Sequence, residues 1–460
     1  MRDRLGRIFT DARINFSQVC FRDKLRPRIG NLLVLATAAL TSSGCIKSES
    51  PPPQTQPRFL RQVEWTGKGS WLKGDTHVHT KFSDGSHSVE EVVRQAEQFG
   101  CNVLAITDHA DRNLKAATRE YLEAIHVERR RHPSLLLFAG LEWNLPPWGG
   151  DEHATVLIHP DLDEWSLLSR FKEQFDDLGR KPHRAELADE ALRWLERHAV
   201  HGQARPVVIY EHPSRRRDRS LDIVPSLTHW RQVNDIVIGF SGAPGHQRYK
   251  SIGAFRGKEK TIDRWDPGAA RVGDAWDTLL EHGLDLWAAD APSDFHNANP
   301  RDLHDFWPGE FAETWLYVPE KSTAGVLQAF HAGTFFGAHG HIVRQAELSV
   351  EAPGLPRRAG VGEVVELPSG SSIAVHFRCV VPPMDWEGKA NRLDAVELIS
   401  VTPNSARIVA TLQMNKEGVF PATSLKVPAD GMVLRARGRR VLETGPNSMF
   451  YTNSIRINAG

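Results

Sequence analysis

Cysteine is scarce in this chain. Four residues, Cys20, Cys45, Cys101 and Cys379, stand among 460, and no two form a CxxC pair. Neither a thiolate zinc site nor a disulfide framework is indicated. Net charge is missing too, since 57 Lys and Arg balance 57 Asp and Glu. That excludes a protein held to nucleic acid by an overall basic field, and it leaves a small phosphate or carbonyl compound as a suitable substrate. Beyond the N-terminal region no segment reaches transmembrane length. No Ser-His-Asp grouping supplies a side-chain nucleophile. Histidine, in contrast, is plentiful at 21 residues, more than a core needs. The apolar fraction of 40% is ordinary for a globular chain, and the length suits two or three domains.

The N-terminus reads as an export signal over residues 1–45. An arginine-rich lead precedes the short apolar run Asn31 to Leu40, and small residues follow, Thr41-Ser42-Ser43-Gly44-Cys45. The Ser-Gly-Cys end resembles a bacterial lipobox, with Ser42 where leucine is usual, and this implies lipidation of Cys45. An uncleaved anchor or a buried helix is the plainer alternative. Residues 46–68 read as a linker, its Pro51-Pro52-Pro53 part extended. The expectation is an exported protein of the periplasm, cell envelope or extracellular space. It would meet the membrane only through that lipid, and its partner would be a small-molecule substrate.

The chemistry concentrates from Gly74 to His109. Trp71 to His77 reads as a strand that delivers His77 and His79; residues i and i+2 of a strand point the same way, so both imidazoles face one ion. Asp84 follows in a Ser-Asp-Gly turn. Ser88-Val89-Glu90-Glu91 is a capping box opening a helix that Gly100 ends. Val103 to Ile106 is an apolar strand fit for a parallel sheet, and it leads to Thr107-Asp108-His109. Strand, helix, strand is the repeating unit of α/β proteins, which place polar groups at strand C-termini.

The pattern recurs. Leu135 to Leu141 ends in Glu142, and His153 begins the strand Ala154 to Ile158. A helical stretch near 184–200 precedes Pro206 to Tyr210, which ends at Glu211-His212-Pro213. Asp235 to Phe240 is a further strand. A helix over Ala275 to Gly283 precedes a last strand, Leu284 to Ala289, whose loop carries Ser293-Asp294-Phe295-His296. Alternatives stay open here: His159 competes with His153, His201 and His246 with His212, and Asp290 with Asp294 and His296. The second His-x-His, His339-Gly340-His341, reads as a loop with no preceding strand. Cys101 reads as a small buried residue beside a strand.

These motifs together resemble the PHP (polymerase and histidinol phosphatase) superfamily of metal-dependent hydrolases. The exported context and β-rich tail resemble its carbaryl-hydrolase-like branch (CehA/McbA). The resemblance spans residues 70–345 and implies a distorted (β/α)7 TIM-like barrel, here bounded at 69–345. It further implies a three-metal cluster, so that two to three divalent ions (zinc, manganese or iron) are expected. His77, His79, Glu142 and Asp294 would hold one ion, and Asp84, His109 and His296 the second. His153 and His212 would hold the third, with Glu142 bridging. Asp84, His109 and Glu142 would act through a metal-bridged hydroxide, while Asp108 orients a ligand imidazole from behind.

Such a site suits a phosphoesterase first. An ester, amide or carbamate hydrolase is the alternative, and a non-catalytic binding protein the second class. Arg215-Arg216-Arg217 is a candidate phosphate clamp, with Arg215 and Arg216 as substrate contacts, and His246 is a further candidate contact. Pro146 to Gly150 is a candidate apolar wall. From Ala346 the texture becomes short alternating runs, Ala346 to Val350, Ser372 to Val380, Ala395 to Val401, Ala406 to Leu412, Gly431 to Ala436 and Ser454 to Ile457. They predict a sandwich-like all-β domain over 346–460 with no ligand cluster.

Overall fold

A computed structural model describes residues 56–299, 305–415 and 419–460. The export signal, Cys45 and the Pro-rich start of the linker lie outside the described residues. Past them the chain begins with a short strand, β1 (Arg58–Arg61), which pairs antiparallel with Val364–Leu367. The segment read as a linker to residue 68 is therefore partly built into the sheet.

Seven strands then deliver the site: β2 (Ser70–Asp75), β3 (Val103–Ile106), β4 (Leu136–Asn144), β5 (His153–Leu157), β6 (Val207–Glu211), β7 (Val237–Ser241) and β8 (Trp287–Asp290). They lie side by side in chain order. All four residues of β3 are fully buried, which is why the run is apolar on both faces. The pairs β2–β3, β3–β4, β6–β7 and β7–β8 are parallel. The expectation of one repeated parallel unit fails at the centre, where β5 runs antiparallel to both β4 and β6. The reason is connection length. Only residues 145–152 separate β4 from β5, and a parallel crossover needs about a dozen residues or more.

Among the described residues no ladder joins β8 back to β2. An isolated parallel bridge between Val78 and Phe295 links the segments that follow those two strands.

Helices cover these strands. α1 (Val89–Gln98) starts in the expected capping box, with the Ser88 hydroxyl accepting from Glu91 N and Glu91 Oε2 accepting from Ser88 N at 3.0 Å. It buries Val89, Val92, Val93 and Ala96. α2 (Arg119–Arg131), α3 (Glu164–Phe175), α4 (Glu186–His198), α5 (Val224–Val233), α6 (Pro267–Ala270), α7 (Ala275–Glu281) and α8 (Thr323–Ala332) follow. No described helix is long and apolar enough to cross a membrane.

Beyond β8 the described chain is mostly strand. β9 (Ala312–Val318) pairs antiparallel with β2 and with β10 (Phe335–His339). His339 thus ends a buried strand, contrary to the loop expected for it. The strands β11 (Arg344–Glu351), β12 (Ala359–Gly360), β13 (Val364–Leu367), β14 (Ser372–Val380), β15 (Ala395–Thr402), β16 (Ser405–Leu412), β17 (Thr423–Lys426), β18 (Met432–Arg440), β19 (Ser448–Thr452) and β20 (Ile455–Ala459) complete the chain. β19 pairs with β10, so one 16-stranded sheet runs from this region into the site-bearing strands, while β12, β11, β14 and β17 form a separate four-stranded sheet. Ile399, Val401, Val433, Met449 and Tyr451 join the core beneath the site-bearing strands. The described residues form one compact unit.

Candidate metal centre

The ends of these strands gather the nine expected donors into one cluster. His77 and His79 stand just past β2, on either side of the bridged Val78. Their Nε2 atoms face each other at 3.0 Å. Glu142, inside β4 and 1% exposed, lies between the rings: Oε1 is 3.3 Å from His77 Nε2 and Oε2 is 3.2 Å from His79 Nε2. Asp294 Oδ1 approaches the same two nitrogens at 3.3 and 3.4 Å. Asp84 Oδ2 faces His109 Nε2 at 3.5 Å and His296 Nε2 at 3.3 Å, with His79 Nδ1 3.4 Å from Oδ1. His153 Nδ1 and His212 Nε2 lie 2.9 and 3.1 Å from Glu142 Oε1.

Backbone geometry is bent to make this possible. His212, His246 and Asp294 have φ of 31°, 45° and 49°. Such left-handed residues cost of order 1–3 kcal/mol each and cluster where function over-determines them. Gly245 makes room: a Cβ there would sit 2.1 Å from Asp294 Cβ. Gly85 packs as closely, 2.6 Å from the His79–Thr80 peptide, which is why the Ser-Asp-Gly turn ends in glycine.

Fixed tautomers aim the lone pairs inward. His77 Nδ1 lies 3.2 Å from Glu211 Oε2, leaving Nε2 for the cluster. His153 Nε2 donates to the Gly150 carbonyl at 3.1 Å and His296 Nδ1 to the Asp294 carbonyl at 2.9 Å. Orienting partners of this kind are what metal-ligating histidines have. Glu211 escaped the sequence reading, although it stood next to His212 at a strand end.

Burial alone would depress His77, but the carboxylates of Glu211, Glu142 and Asp294 lift it well above the ordinary imidazole range. His109, buried beside Glu142 and Asp84, is pushed up to about 9. Burial would raise Glu142, yet His109, His153 and His77 hold it well below the usual carboxylate range. Without ions, the buried carboxylates favour protons on His77, His79 and His109; bound cations would take over that role and release the protons. The donors fit such ions: six imidazoles and three carboxylates, grouped within 4.8 Å in overlapping sets, are chemistry that suits zinc, manganese or iron.

The rival candidates fall elsewhere. Asp290 accepts from Thr314 Oγ1 at 2.6 Å beneath the cluster, and burial pushes its carboxyl up to about 7. His159 and His201 stack on each other, away from the nine donors. His246 sits at the rim, with Nδ1 2.8 Å from Asp305 Oδ1 and Nε2 3.3 Å from Asp294 Oδ2. No sequence signal marked Asp305, nine residues beyond His296.

Two expected contacts are engaged elsewhere, and Asp108 reaches a histidine through Ser83. Arg215 is no phosphate clamp. It is 9% exposed and its guanidinium is already engaged, donating to Asp294 Oδ2 at 2.6 Å, to the Gly253 carbonyl at 2.9 Å and to the Pro244 carbonyl, so it positions Asp294. Arg216 donates to Asp151 and to the Gly150 carbonyl, steadying the acceptor that orients His153. Asp108 contacts no ligand imidazole. It accepts from Thr80 N at 2.8 Å, Thr80 Oγ1 at 2.7 Å and Ser83 Oγ at 2.6 Å, and Ser83 in turn lies 3.3 Å from His79 Nδ1.

Residues 75–204 match the model of the PHP domain. A 113-residue stretch is 28% identical to the DNA polymerase/3'-5' exonuclease PolX of Bacillus subtilis, covering 22% of this chain and 19% of that protein. Among solved structures, a two-domain protein from Bacteroides vulgatus containing a predicted PHP-like metal-dependent phosphoesterase aligns at 15% identity, with a TM-score of 0.38, over 88% of this chain and all of the other. A protein of Bifidobacterium adolescentis assigned to the metal-dependent phosphoesterases aligns at 16% identity, with a TM-score of 0.29, over 50% of this chain and 92% of its own.

Proposed function

We propose that the protein is a metal-dependent hydrolase whose nine donors hold two to three divalent ions, zinc, manganese or iron, and that its substrate is a small phosphoester. The fold we assign with this is a distorted β/α barrel of seven strands joined to an all-β accessory region, of the carbaryl-hydrolase-like kind. The observation that carries the reading is the convergence of His77 and His79 Nε2 at 3.0 Å on a pair of buried carboxylates. Two imidazole lone pairs meeting head-on are unfavourable unless a proton or a cation lies between them.

When bound, divalent ions supply Lewis acidity and lower the pKa of water. The chain's own groups do the rest. Glu142 draws five imidazoles together; Glu211 and the Gly150 carbonyl orient two of them, His77 and His153, and the Asp294 carbonyl orients His296. Arg215 holds Asp294 in its left-handed turn. Asp84, with a side chain 50% exposed, is the donor nearest to solvent and so marks the side from which substrate arrives.

A phosphoester is favoured by charge. The three carboxylates among the donors are outweighed by two divalent ions, leaving a cationic centre for an anionic substrate. The exonuclease activity in the PolX name is phosphodiester chemistry of the same kind. An ester, amide or carbamate hydrolase is the second reading, because Arg215 and Arg216, the expected phosphate contacts, are engaged within the protein. Export, with a lipid on Cys45, belongs to the same proposal. To test it, the purified protein is analysed for metal and assayed on phosphoesters beside aryl esters and carbamates, with Asp84→Ala as control. Absence of bound zinc, manganese and iron, or turnover undiminished in Asp84→Ala, would sink the reading.

A further inference from the structure

N–H donors without acceptors collect at one corner of the molecule, outside the nine-donor cluster. A cleft of about 520 Å³ opens there, with Arg264, Phe311, Trp386, Arg440, Leu442 and Ser448 in its walls. That volume falls within the ~300–1,000 Å³ usual for small-molecule sites. The sheet sets its place. β10 runs in the same direction as β2, with β9 between them, and His339 at the end of β10 stacks on Phe311. β10 is thus two strand spacings, about 10 Å, from β2, and the two strands end on the same face.

Arg264 is the foremost of these donors. Asp263 and Arg264 form a left-handed turn, with φ of 45° and 71°, and Asp263 Oδ1 ties it to the β-rich region by accepting from Asn447 N at 2.9 Å. The Arg264 guanidinium lies 5.0 Å from the centre of the Phe311 ring and donates through Nη1 to the Gln247 carbonyl at 2.6 Å. No carboxylate of the described residues pairs with it. Burial accordingly lowers its pKa, with no acid to offset the loss. The next residue, Trp265, is a donor only, and its Nε1 is buried without a partner. Arg440, 8% exposed, gives Nη1 to Asp385, but its Nε is buried without a partner as well. The acids of the cleft are already engaged. Asp385 also accepts from Glu387 N and Lys389 N at 2.9 and 2.8 Å, and Glu387 takes Lys389 Nζ at 2.6 Å. Glu443, the remaining acid, is exposed. Unmatched N–H groups beneath a partly buried guanidinium leave a positive potential, and an oxyanion is its complement. Trp386, edge-on to Phe311 at 5.3 Å, and Leu442 supply an apolar side to the same cleft.

We propose that this cleft binds a small organic anion, a carboxylate or phosphate group on a flat apolar body, with Arg264 paired to the oxyanion and the body against Trp386 and Leu442. A guanidinium suits either oxyanion, because it can give two parallel N–H bonds. The site is separate from the nine-donor centre and does not rest on the hydrolase reading. Arg264 precedes β8 and Arg440 ends β18, so an anion held in the cleft fastens the site-bearing strands to the β-rich region.

The experiment uses the full chain, stripped with chelator so that no ion holds an anion at the metal centre. Benzoate, phenyl phosphate and the neutral benzyl alcohol are titrated calorimetrically into wild type, R264K and R264Q. Both anions should bind wild type, and the alcohol should not. R264Q should weaken binding about 10- to 100-fold, with R264K in between because lysine lacks the planar fork. Each anion should also raise the melting temperature of wild type more than that of R264Q. A wild-type crystal soaked in 4-bromobenzoate should show an anomalous bromine peak in the cleft; this readout is independent of how the variants fold. No anion binding by wild type, equal affinity in R264Q, or an alcohol that binds as tightly as the anions overturns the proposal. So does a bromine peak at the metal centre with none in the cleft.

Discussion

The molecule buries charge in two places and treats it in opposite ways. At the junction between α7 and β18, Arg435 and Asp277 are both fully buried, and the guanidinium donates to the two carboxylate oxygens at 2.7 and 2.9 Å. Gly273 N adds a third hydrogen bond to Asp277 at 2.7 Å, and Arg435 lies 4.5 Å from the centre of the Trp276 ring. Both carboxylate oxygens are matched there, and Arg435 Nη1 is left without a hydrogen bond. At the metal centre, donors outnumber their matches. Glu142 alone is approached by His77, His79, His109, His153 and His212 at 2.9–3.3 Å. Buried charge that holds a fold is paired within the protein; buried charge that awaits a cation leaves its lone pairs converging.

That contrast can be broken experimentally. The largest expected effect is on Glu142, which belongs to two of the three proposed ion positions. Glu142→Ala should remove several kcal/mol of transition-state stabilisation, on the order of 10³-fold in rate. Bound metal should fall as well, and full metal content in this variant would contradict the assigned centre. Next comes Arg435→Met, which strands the Asp277 charge. It should cost about 3–5 kcal/mol in urea unfolding, with metal content per folded chain unchanged. The double change Arg435→Met with Asp277→Leu should recover much of that loss, because an apolar pair suits the same site. A metal centre that emptied along with the junction would show that the two regions are not independent. The smallest effect is expected for Glu211→Gln, which keeps the shape but weakens the hold on His77 Nδ1. Chelator competition should report metal affinity reduced about 10- to 100-fold, with the melting temperature of the metal-free protein little changed.

The two regions also differ in how legible they were. The strands β3 to β8 stood out as largely apolar runs, and their polar ends advertised the donors, since an imidazole or carboxylate just past a buried strand has little other reason to be there. Ser88 and Glu91 signalled α1 through cap chemistry that needs only local neighbours. Strand direction was not legible from periodicity, which is the same for both senses; the short 145–152 connection was the clue to the reversed β5. Arg215 looked like a clamp because its neighbours in sequence are arginines, whereas its partners, Asp294, Pro244 and Gly253, come from distant loops. Asp305 and the Arg435–Asp277 pair depend on contacts across 59 and 158 residues, which no local pattern encodes.

The pairing of β10 with β19 carries one more consequence. It covers the backbone of a strand whose residues include Phe335, Phe336 and Ala338, by matching Phe336, Gly337 and Ala338 to Thr452, Tyr451 and Phe450. A chain cut after residue 345 would expose that row of N–H and C=O groups on a flat, apolar margin, the kind of surface along which separate molecules zip together. The residues beyond 345 thus cover an edge of the sheet that carries the candidate site. They keep its outermost strand from recruiting other copies.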